Sequence, residues 1–493
     1  MSSAVRLPRL LCACRVCCAP AVSVRVALQP LRGQAAFIVS ATPAATGISY
    51  QRRPRPALTP SIGRGPGSAF IGGVPAQFTS AVAEAVAADL LDRFTRYVRI
   101  DTQSRVDRER SPSTPGQLDL SRLLVEELQA LGLGDAALDA HGYVYATVPP
   151  TVADKPVVGL IAHVDTSPDA PGAGVEPLVH RHYDGGAIEL PRGGTRLDPA
   201  TMPQLAQLVG HDLVSSSGDT LLGADDKAGV AAIMAAVAYL VAHPELPRPT
   251  LRIAFTPDEE IGHGATLFDL PAFGARCAYT VDGSRLGELQ DESFNAVEVR
   301  VHVAGVGVHP GFASGKLVSA LRLAAEIVAA LPTDRLTPET TSGRQGYVHP
   351  HFLHGVTDRA ELRFIVRDFD EELLQSHVTL LRETCERVAA AHPRAQLDFE
   401  VIRQYRNMRP YIERDPEVVA AAEEAFAAEG VEPIRLPIRG GTDGSRLSEM
   451  GLPTPNIFDG GYEYHSVREF ASLQHMAAAA AVLVRLAEAW TRR

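Results

Sequence analysis

From about Ser80 onward, segments with apolar residues at helical spacing take turns with short, continuous apolar runs. "SAVAEAVAADLLDRFTRYVRI" has helical spacing with Ser80 as a plausible N-cap, and "QLDLSRLLVEELQALGL" repeats this pattern and predicts a helix ending at Gly134. "PVVGLIAHVD", "TLRIAFTP" and "CAYTVD" are short apolar runs of the kind that form buried strands in a parallel sheet. Alternating strands and helices predict an α/β fold with a mostly parallel central sheet.

The pattern changes near residue 296. "AVEVRVHVAGVG", "RAELRFIVRDF" and "AQLDFEVIR" alternate as strands, whereas "KLVSALRLAAEIVAAL" and "EELLQSHVTLLRETCERVAAAH" have helical spacing. We therefore predict an inserted, smaller α+β unit of the β-α-β-β-α-β (ferredoxin-like) kind over 296–405. The α/β pattern resumes afterwards and ends with a helix from about 472 to 491. The larger domain would thus have two parts, 81–295 and 406–493.

The first 80 residues form a predicted extension that does not belong to the fold. The first 83 residues contain nine arginines and no acidic residue. A transit peptide has this composition, and a start codon assigned too far upstream would explain it equally well. Four of the six cysteines lie in this extension, so the folded part is not a disulfide scaffold and fits a reducing compartment. We expect a cytoplasmic protein, with targeting to an organelle as the alternative.

Charge and hydropathy argue against nucleic-acid binding and against a membrane-spanning segment. A net charge of -11 argues against a nucleic-acid binder, because neutralising phosphates requires a basic surface. An uninterrupted apolar run of about 18 residues, which a membrane span would need, is absent from the sequence.

Imidazoles and carboxylates follow the predicted strands in an ordered series. In open α/β sheets, functional residues collect beyond the carboxyl ends of the strands. The series consists of His163, Asp165, Asp225, Glu259, Glu260, Asp282 and His465. Each motif alone has an ordinary structural explanation, such as a turn or a helix N-terminus, but their common placement favours a metal site. Histidine and carboxylate ligands without thiolate are typical of catalytic zinc sites.

Several motifs together resemble one family. The motifs that carry the resemblance are "AHVDTSPDAPG", "TLLGADDKAG", "AFTPDEEIGHGA", "PIRGGTDGSRLSEMGLP" and "GGYEYHSVREF". The similarity is to peptidase T, the group of tripeptide aminopeptidases within the dinuclear-zinc M20 metallopeptidases. The resemblance extends from about Asp92 to the C-terminus. It implies a zinc-exopeptidase-like catalytic domain, peptide substrates, and an inserted unit that acts as a lid and makes homodimer contacts.

The resemblance also implies roles for individual residues. Two zinc ions per subunit would be bound, with Co²⁺ or Mn²⁺ as substitutes, and Asp225 would bridge them. One ion would take His163 and Asp282, and the other would take Glu260 and His465. Glu259 would be the general base that takes a proton from zinc-activated water, Asp165 would orient His163, and the Asp225–Asp226 peptide would be cis. Asp226 and Lys227 would build the loop.

Four further residues are candidates for substrate binding. His309, in "GVHPG", could stabilise a developing oxyanion or merely hold its turn, and it could act in its own chain or across a dimer. Arg367 and Arg439 could clamp the peptide carboxylate, because guanidinium pairs with carboxylate in a bidentate manner. Arg367 could equally pair with Asp368. Asn295, at the hinge, could bind the substrate backbone.

Three other functions compete with this interpretation. Other M20 enzymes are dipeptidases, carboxypeptidases or N-acyl amino acid deacylases with the same zinc core. A non-catalytic binding protein of this fold would have no need of an unligated base at Glu259. A nucleotide-dependent enzyme is disfavoured, because the sequence has neither G-x-G-x-x-G nor G-x-x-x-x-G-K-[ST] after a strand.

Overall fold

The computed structural model describes residues 24–27, 38–41 and 77–493. The predicted N-terminal extension over 1–80 therefore lies mostly outside the described residues. Within it, Val24–Ala27 pairs in antiparallel fashion with Ile38–Ala41. In the described part of the chain, none of the helices is both long enough and apolar enough to cross a membrane.

An eight-stranded central sheet carries the larger part of the fold. In spatial order its strands are Ile434–Arg435, Glu288–Gln290, Asn456–Phe458, Cys277–Gly283, Val158–His163, Leu251–Thr256, Val144–Val148 and Ala137–Leu138. The four strands from Asn456–Phe458 to Leu251–Thr256 are parallel to one another. This confirms the predicted α/β class with a mostly parallel sheet.

The strand Val158–His163 is buried at every position, which explains its continuous apolar run. Leu160 belongs to the large hydrophobic cluster on one face of the sheet. Its neighbour Ile161 packs in a second cluster with Phe268 and Leu447. Because successive side chains point to opposite faces, covering both faces requires apolar residues at consecutive positions.

The long helices match the predicted pattern, whereas the short helices Leu270–Phe273, Arg409–Ile412 and Asp443–Glu449 were not predicted. In chain order the helices are Ala81–Tyr97, Pro115–Ala130, Ala224–Ala242, Leu270–Phe273, Ala320–Ala329, Glu371–Ala390, Arg409–Ile412, Pro416–Ala428, Asp443–Glu449 and Leu473–Trp490. Ser80 caps the first of them, as predicted, by accepting hydrogen bonds from the backbone of Val82 and Ala83.

The second helix ends earlier than the expected Gly134. Gly132 has a φ of 90°. Its N–H bonds to the carbonyl of Gln129, while the N–H of Leu133 bonds to the carbonyl of Leu128. These two bonds form a Schellman motif, so the glycine that stops the helix is Gly132.

Residues 295–405 form a β-α-β-β-α-β arrangement with its own hydrophobic cluster. Its antiparallel sheet has the strand order Tyr347–Gly355, Arg359–Asp368, Asn295–Ala304 and Gln396–Tyr405. Tyr347–Gly355 lacks a clear alternating pattern because it is an edge strand, where a proline such as Pro350 is tolerated. We call these residues the inserted unit; that it acts as a separate lid domain stays a prediction.

A second four-stranded sheet holds the loop that carries His465. Its order is Gly461–Tyr462, Phe470–Ser472, Leu213–Ser215 and Leu178–His180. Ile188–Glu189 pairs separately with Arg196–Leu197. Because Gly461–Tyr462 and Phe470–Ser472 are adjacent antiparallel strands, the intervening loop is fixed at both ends.

Candidate active site

The ends of parallel strands bring the predicted site residues together. His163 is the last residue of its strand and lies beside Thr256, the last residue of the neighbouring parallel strand. Glu259 and Glu260 follow Thr256 by three and four residues. Asp282 lies near the end of Cys277–Gly283, which is parallel to the strand of His163. These side chains therefore meet at one edge of the sheet.

Asp225 lies between the two imidazoles. His163 Nε2 is 2.9 Å from Asp225 Oδ1 and 3.6 Å from Asp282 Oδ1. His465 Nε2 is 2.9 Å from Glu260 Oε2 and 3.3 Å from Asp225 Oδ2. One oxygen of Asp225 thus faces each histidine, while Asp282 lies beside His163 and Glu260 lies beside His465.

Asp165 contacts His163 and also the backbone of the two glutamates. His163 Nδ1 is 3.0 Å from the main-chain oxygen of Asp165 and 3.4 Å from its Oδ1. The Asp165 carboxylate accepts hydrogen bonds from the backbone N–H of Glu259 (2.9 Å) and Glu260 (3.2 Å). The shorter contact to the imidazole thus comes from the main chain of Asp165, while its fully buried side chain fixes the loop of the glutamates.

The turn at Asp225 and Asp226 is also fixed by backbone contacts. The peptide between them is cis, as the resemblance implies. The Asp226 carboxylate accepts from the backbone N–H of His163 (3.0 Å) and Gly229 (3.1 Å). A side chain at Gly229 would collide with the carbonyl of Val281, so glycine is needed for the helix to approach the sheet. Both oxygens of Asp226 are therefore occupied in holding the loop.

Glu469 is a supporting residue that the sequence did not reveal. Its buried carboxylate accepts hydrogen bonds from the backbone N–H of Leu222, Gly223 and Asp225, at 2.7, 2.8 and 3.0 Å. Burial raises the pKa of Glu469 to about 7. The acid is four residues beyond His465, but it has no local pattern that distinguishes it from a surface glutamate.

Crowded, buried carboxylates dominate the electrostatics of the site. Burial, reinforced by the charge of Asp225, raises the pKa of Glu260 to about 8. Burial likewise raises the pKa of Glu259 and Asp282. Hydrogen bonds to Asp225 and Glu260 raise the pKa of His465 to about 11. Within the described residues, Glu260 Oε1 is buried with no hydrogen-bond partner. This excess of buried negative charge fits a site that binds cations.

The donor atoms also suit divalent metal ions. Ligand atoms of His163, Asp225 and Glu260 all lie within 4.8 Å of one another, as do those of His163, Asp226 and Asp282. Imidazole nitrogen and carboxylate oxygen, with no thiolate, are typical ligands of catalytic zinc. Because Asp226 already accepts two backbone N–H groups, Asp225 and Asp282 are the better donors beside His163.

A cleft of about 520 Å³ opens over this cluster. Its floor includes Asp225, Glu259, Glu260, Asp282 and His465. Tyr347, Ile365, Arg367 and Tyr405 of the inserted unit line it, as do Ile438, Gly440, Gly441, Thr442, Asp443 and Arg446. This volume is in the range of small-ligand sites, which span roughly 300–1,000 Å³.

Arg367 is the predicted substrate-binding residue that lines the cleft. Its guanidinium carbon lies 5.3 Å from the centre of the Tyr405 ring. The alternative partner, Asp368, instead lies 2.9 Å from Nε2 of His377. In the described part of the chain, Arg367 forms no ion pair; its Nη1 donates to the carbonyls of Val297 (3.4 Å) and Val366 (3.3 Å), and its Nε and Nη2 have no hydrogen-bond acceptor there.

His309, Arg439 and Asn295 are not among the residues lining the cleft. Arg439 donates hydrogen bonds to the carbonyls of Gly343 and Gln345, both at 2.8 Å. His309 lies on an exposed turn, where its Nδ1 accepts from the N–H of Gly311. In this conformation neither residue faces the cluster, so their predicted contacts with substrate would require movement or a second chain.

Asn295 holds the hinge between the inserted unit and the rest of the chain. Its amide donates to the carbonyl of Phe369 and its side-chain oxygen accepts from the N–H of Asn407, both at 2.9 Å. The bond to Asn407 joins the two ends of the inserted unit, and the bond to Phe369 ties its first residue to the segment after Arg359–Asp368. A contact with the substrate backbone would have to use the second amide N–H or the second lone pair of the side-chain oxygen.

Asp443 is a second residue that sequence reasoning missed. It is buried, lines the cleft, and accepts a 2.7 Å hydrogen bond from Thr256 Oγ1. Burial raises its pKa to about 7. Asp443 is the aspartate of the motif "GGTDG", and this motif was the signal that could have identified it; the sequence-based prediction concerned only the preceding Arg439.

Carboxylates and one imidazole at the strand ends of a mostly parallel sheet, with a second imidazole on a loop of the smaller sheet, form a set of ligands for divalent metal ions. The model of Peptidase family M20/M25/M40 matches residues 221–489. Peptidase T of Geobacillus thermodenitrificans is 46% identical over 400 residues, covering 81% of this chain and 97% of that protein. The chain therefore belongs to peptidase family M20/M25/M40. It is a peptide hydrolase, and the resemblance to peptidase T in its motifs is confirmed.

Solved structures agree on the fold. A tripeptidase from Staphylococcus aureus has a TM-score of 0.66 at 20% identity, covering 83% of this chain and 99% of its own. A dinuclear metal-binding peptidase of the M20 family from Bacillus subtilis has a TM-score of 0.56 at 16% identity, covering 82% and 98%. The likeness to these two proteins supports the α/β architecture described above.

Proposed function

We propose that the chain is a metal-dependent aminopeptidase that releases the N-terminal residue from tripeptides. The observation that carries this proposal is the position of Asp225 between His163 and His465, directly below a cleft of peptide-sized volume. Similarity to peptidase T over 400 residues supports the choice of tripeptides.

Five residues would hold two divalent cations, which we propose to be zinc. These residues are His163, Asp225, Glu260, Asp282 and His465, with Asp225 shared between the ions. When bound, the ions would polarise the peptide carbonyl and lower the pKa of water. The unpartnered Glu260 Oε1 and the raised pKa values of the carboxylates support this assignment.

Glu259 is proposed as the general base. It lines the cleft, and in the described part of the chain its carboxylate accepts no hydrogen bond, so it is free to take a proton. Asp165 fixes the main chain at Glu259 and Glu260, and of the two side chains only that of Glu260 contacts His465. Glu259 would take the proton of the attacking water and return it to the leaving amine. General acid–base catalysis of this kind contributes about 10²–10⁴-fold to rate.

Substrate orientation would involve the inserted unit. Arg367 carries a guanidinium with no carboxylate partner in the described residues and stacks on Tyr405, so it can pair with the C-terminal carboxylate of a short peptide. A fixed distance between the guanidinium of Arg367 and the metal ligands would select peptides by length. Contacts with a second subunit, and a role for His309 in them, remain predictions.

The test is release of the N-terminal amino acid from free di-, tri- and tetrapeptides and from N-acetylated tripeptides, with zinc and after chelation. We expect metal-dependent release from free tripeptides and none from the acetylated forms. Cleavage restricted to acetylated peptides, or release of the C-terminal residue, would identify a deacylase or carboxypeptidase instead and overturn the proposal.

A further inference from the structure

Arg446 is an unpaired cation in the wall of the cleft. It lies in the short helix Asp443–Glu449, is half-buried, and lines the cavity together with Glu259, Glu260 and Asp443. Within the described residues its guanidinium has neither a hydrogen bond nor a carboxylate within 4.0 Å. By contrast, two nearby arginines are paired, Arg108 with Asp258 and Arg406 with Glu449.

The guanidinium of Arg446 lies over the turn that follows the two glutamates. Its Nη2 would be 3.8 Å from a Cβ at Gly262, and Gly262 itself lines the cleft. Arg446 is also close enough to His263 to lower the pKa of that imidazole, in addition to the larger effect of burial. The positive charge thus lies at the cleft surface near Gly262, in the turn that follows the two glutamates, whereas Arg367 belongs to the inserted unit.

A partly desolvated guanidinium in a ligand cleft is most stable when a carboxylate pairs with it. The carboxylates of the chain do not fill this role, although five of them line the same cavity (Asp225, Glu259, Glu260, Asp282 and Asp443). If metal ions bind at Asp225, Glu260 and Asp282, three of those charges are compensated by the ions, and Arg446 is left with even less competing negative charge.

We propose that Arg446 binds a carboxylate of the bound peptide and so determines which peptides the enzyme prefers. The inference rests on the proposed peptidase function and deepens it. The carboxylate has two sources, an acidic side chain or the peptide C-terminus. Because Arg367 also lines the cleft, a peptide with both groups could pair with both arginines.

The experiment compares kcat and KM for matched peptides with wild type, Arg446→Gln and Arg446→Lys. The peptides are alanine tripeptides with Glu or Gln at each position in turn, and the same peptides as free acids and as C-terminal amides. Arg414→Gln is the matched control, because Arg414 is exposed, lies outside the cleft lining and forms no ion pair in the described part of the chain. Ratios of kcat/KM between two peptides within one variant do not depend on how much of that variant is folded.

We expect Arg446→Gln to lower one of these ratios about tenfold or more, mainly through KM, since a hydrogen bond to a charged group is lost. A fall in the Glu-over-Gln ratio identifies an acidic side chain as the ligand, and a fall in the acid-over-amide ratio identifies the C-terminus. Arg446→Lys should retain part of the wild-type preference for the carboxylate-bearing peptide, and Arg414→Gln should retain all of this preference. Unchanged ratios in Arg446→Gln would overturn the proposal.

Failure of the proposed function would be recognised separately. In that case wild type would release no residue from any peptide, and the same peptides would be tested by calorimetric binding to the zinc-loaded wild type and Arg446→Gln. A Glu-over-Gln or acid-over-amide preference in affinity that is lost in the variant would still support carboxylate binding by Arg446. Absence of any such preference would refute it.

Discussion

The carboxylate of Asp165 accepts a hydrogen bond from the backbone N–H of Glu259, with 2.9 Å between Oδ1 and the nitrogen. The other oxygen accepts the N–H of Glu260 at 3.2 Å. One buried side chain therefore fixes the main chain of both the proposed base and the adjacent metal ligand. Its own main-chain oxygen contacts His163, so three functional side chains depend on the position of one residue.

Asp165→Asn should therefore weaken metal binding and catalysis together. Asparagine keeps one oxygen acceptor but presents an NH₂ group to the second backbone N–H, which loosens the loop. We expect a loss of about 10–100-fold in metal affinity or kcat/KM, as for other residues that support metal ligands. Metal titration and peptide kinetics measure the two effects. Asp154→Asn, at an exposed position with a positive φ, is the control. Normal metal affinity and activity in Asp165→Asn would contradict this role.

The site residues at strand ends could be predicted from the sequence because the strands that they follow could be predicted. Continuous apolar runs before His163 and Asp282 are produced by burial on both faces of the sheet, and this pattern is readable without coordinates. Parallel strands then require that residues at their carboxyl ends lie at the same edge. The adjacency of Glu259 and Glu260 could likewise be explained from one local segment.

Residues that act through distant contacts could not be found in this way. Glu469 binds the N–H of Asp225, which is 244 positions away, and Asp443 binds Thr256 across 187 positions. Arg439 matched a family motif, but its guanidinium binds carbonyls at positions 343 and 345. A motif identifies a residue type at a position, whereas the direction of the side chain depends on packing that the sequence does not display.

Glu469→Ala should destabilise the fold and the metal site. Three backbone N–H groups, including that of Asp225, would lose their buried acceptor. Each unsatisfied buried group costs about 1–3 kcal/mol, so we expect a loss of about 3 kcal/mol or more in the free energy of unfolding, measured by urea denaturation. Glu469→Gln retains one acceptor oxygen and should lose less. Equal stability of both variants and wild type would rule out this function of Glu469.

The contribution of His475 to the stability of the folded chain should decrease as the pH falls below 6.5. This partly buried imidazole lies 2.7 Å from the hydroxyl of Tyr462, and its ring centre lies 4.9 Å from that of His211. Burial, assisted by the nearby charge of His211, lowers the pKa of His475 from 6.5 to about 3. Between these two values the unfolded chain binds a proton that the folded chain does not, so stability falls with decreasing pH.

The expected contribution of His475 is about 2 kcal/mol lost between pH 7 and pH 5, from 1.36 kcal/mol per pKa unit. It is measured as the difference between wild type and His475→Gln in the pH dependence of urea unfolding, which cancels the titration of other groups. If the two proteins lose the same free energy between pH 7 and pH 5, the imidazole is not held neutral by burial.

Removal of metal should destabilise the folded chain. Without cations, the carboxylates of Asp225, Glu260 and Asp282 are poorly solvated and repel one another; burial first, and the charge of Asp225 second, raise the pKa of Glu260 and Asp282. Zinc at a hundred times its Kd should raise the free energy of unfolding by about 2.7 kcal/mol. Thermal unfolding with zinc and with chelator measures this shift, and His465→Ala should reduce it. The same Tm in both conditions for wild type would exclude a metal centre in the folded state.

The central claim is that Glu259 takes the proton while its neighbour Glu260 binds metal. The most direct test measures kcat on a tripeptide and the metal content of the same sample for wild type, Glu259→Gln and the exposed control Glu245→Gln. Glu259→Gln should keep two metal ions per chain and lose about 10²–10⁴-fold in kcat, with the control unchanged. A Glu259→Gln enzyme that holds both ions and retains wild-type kcat would contradict the account.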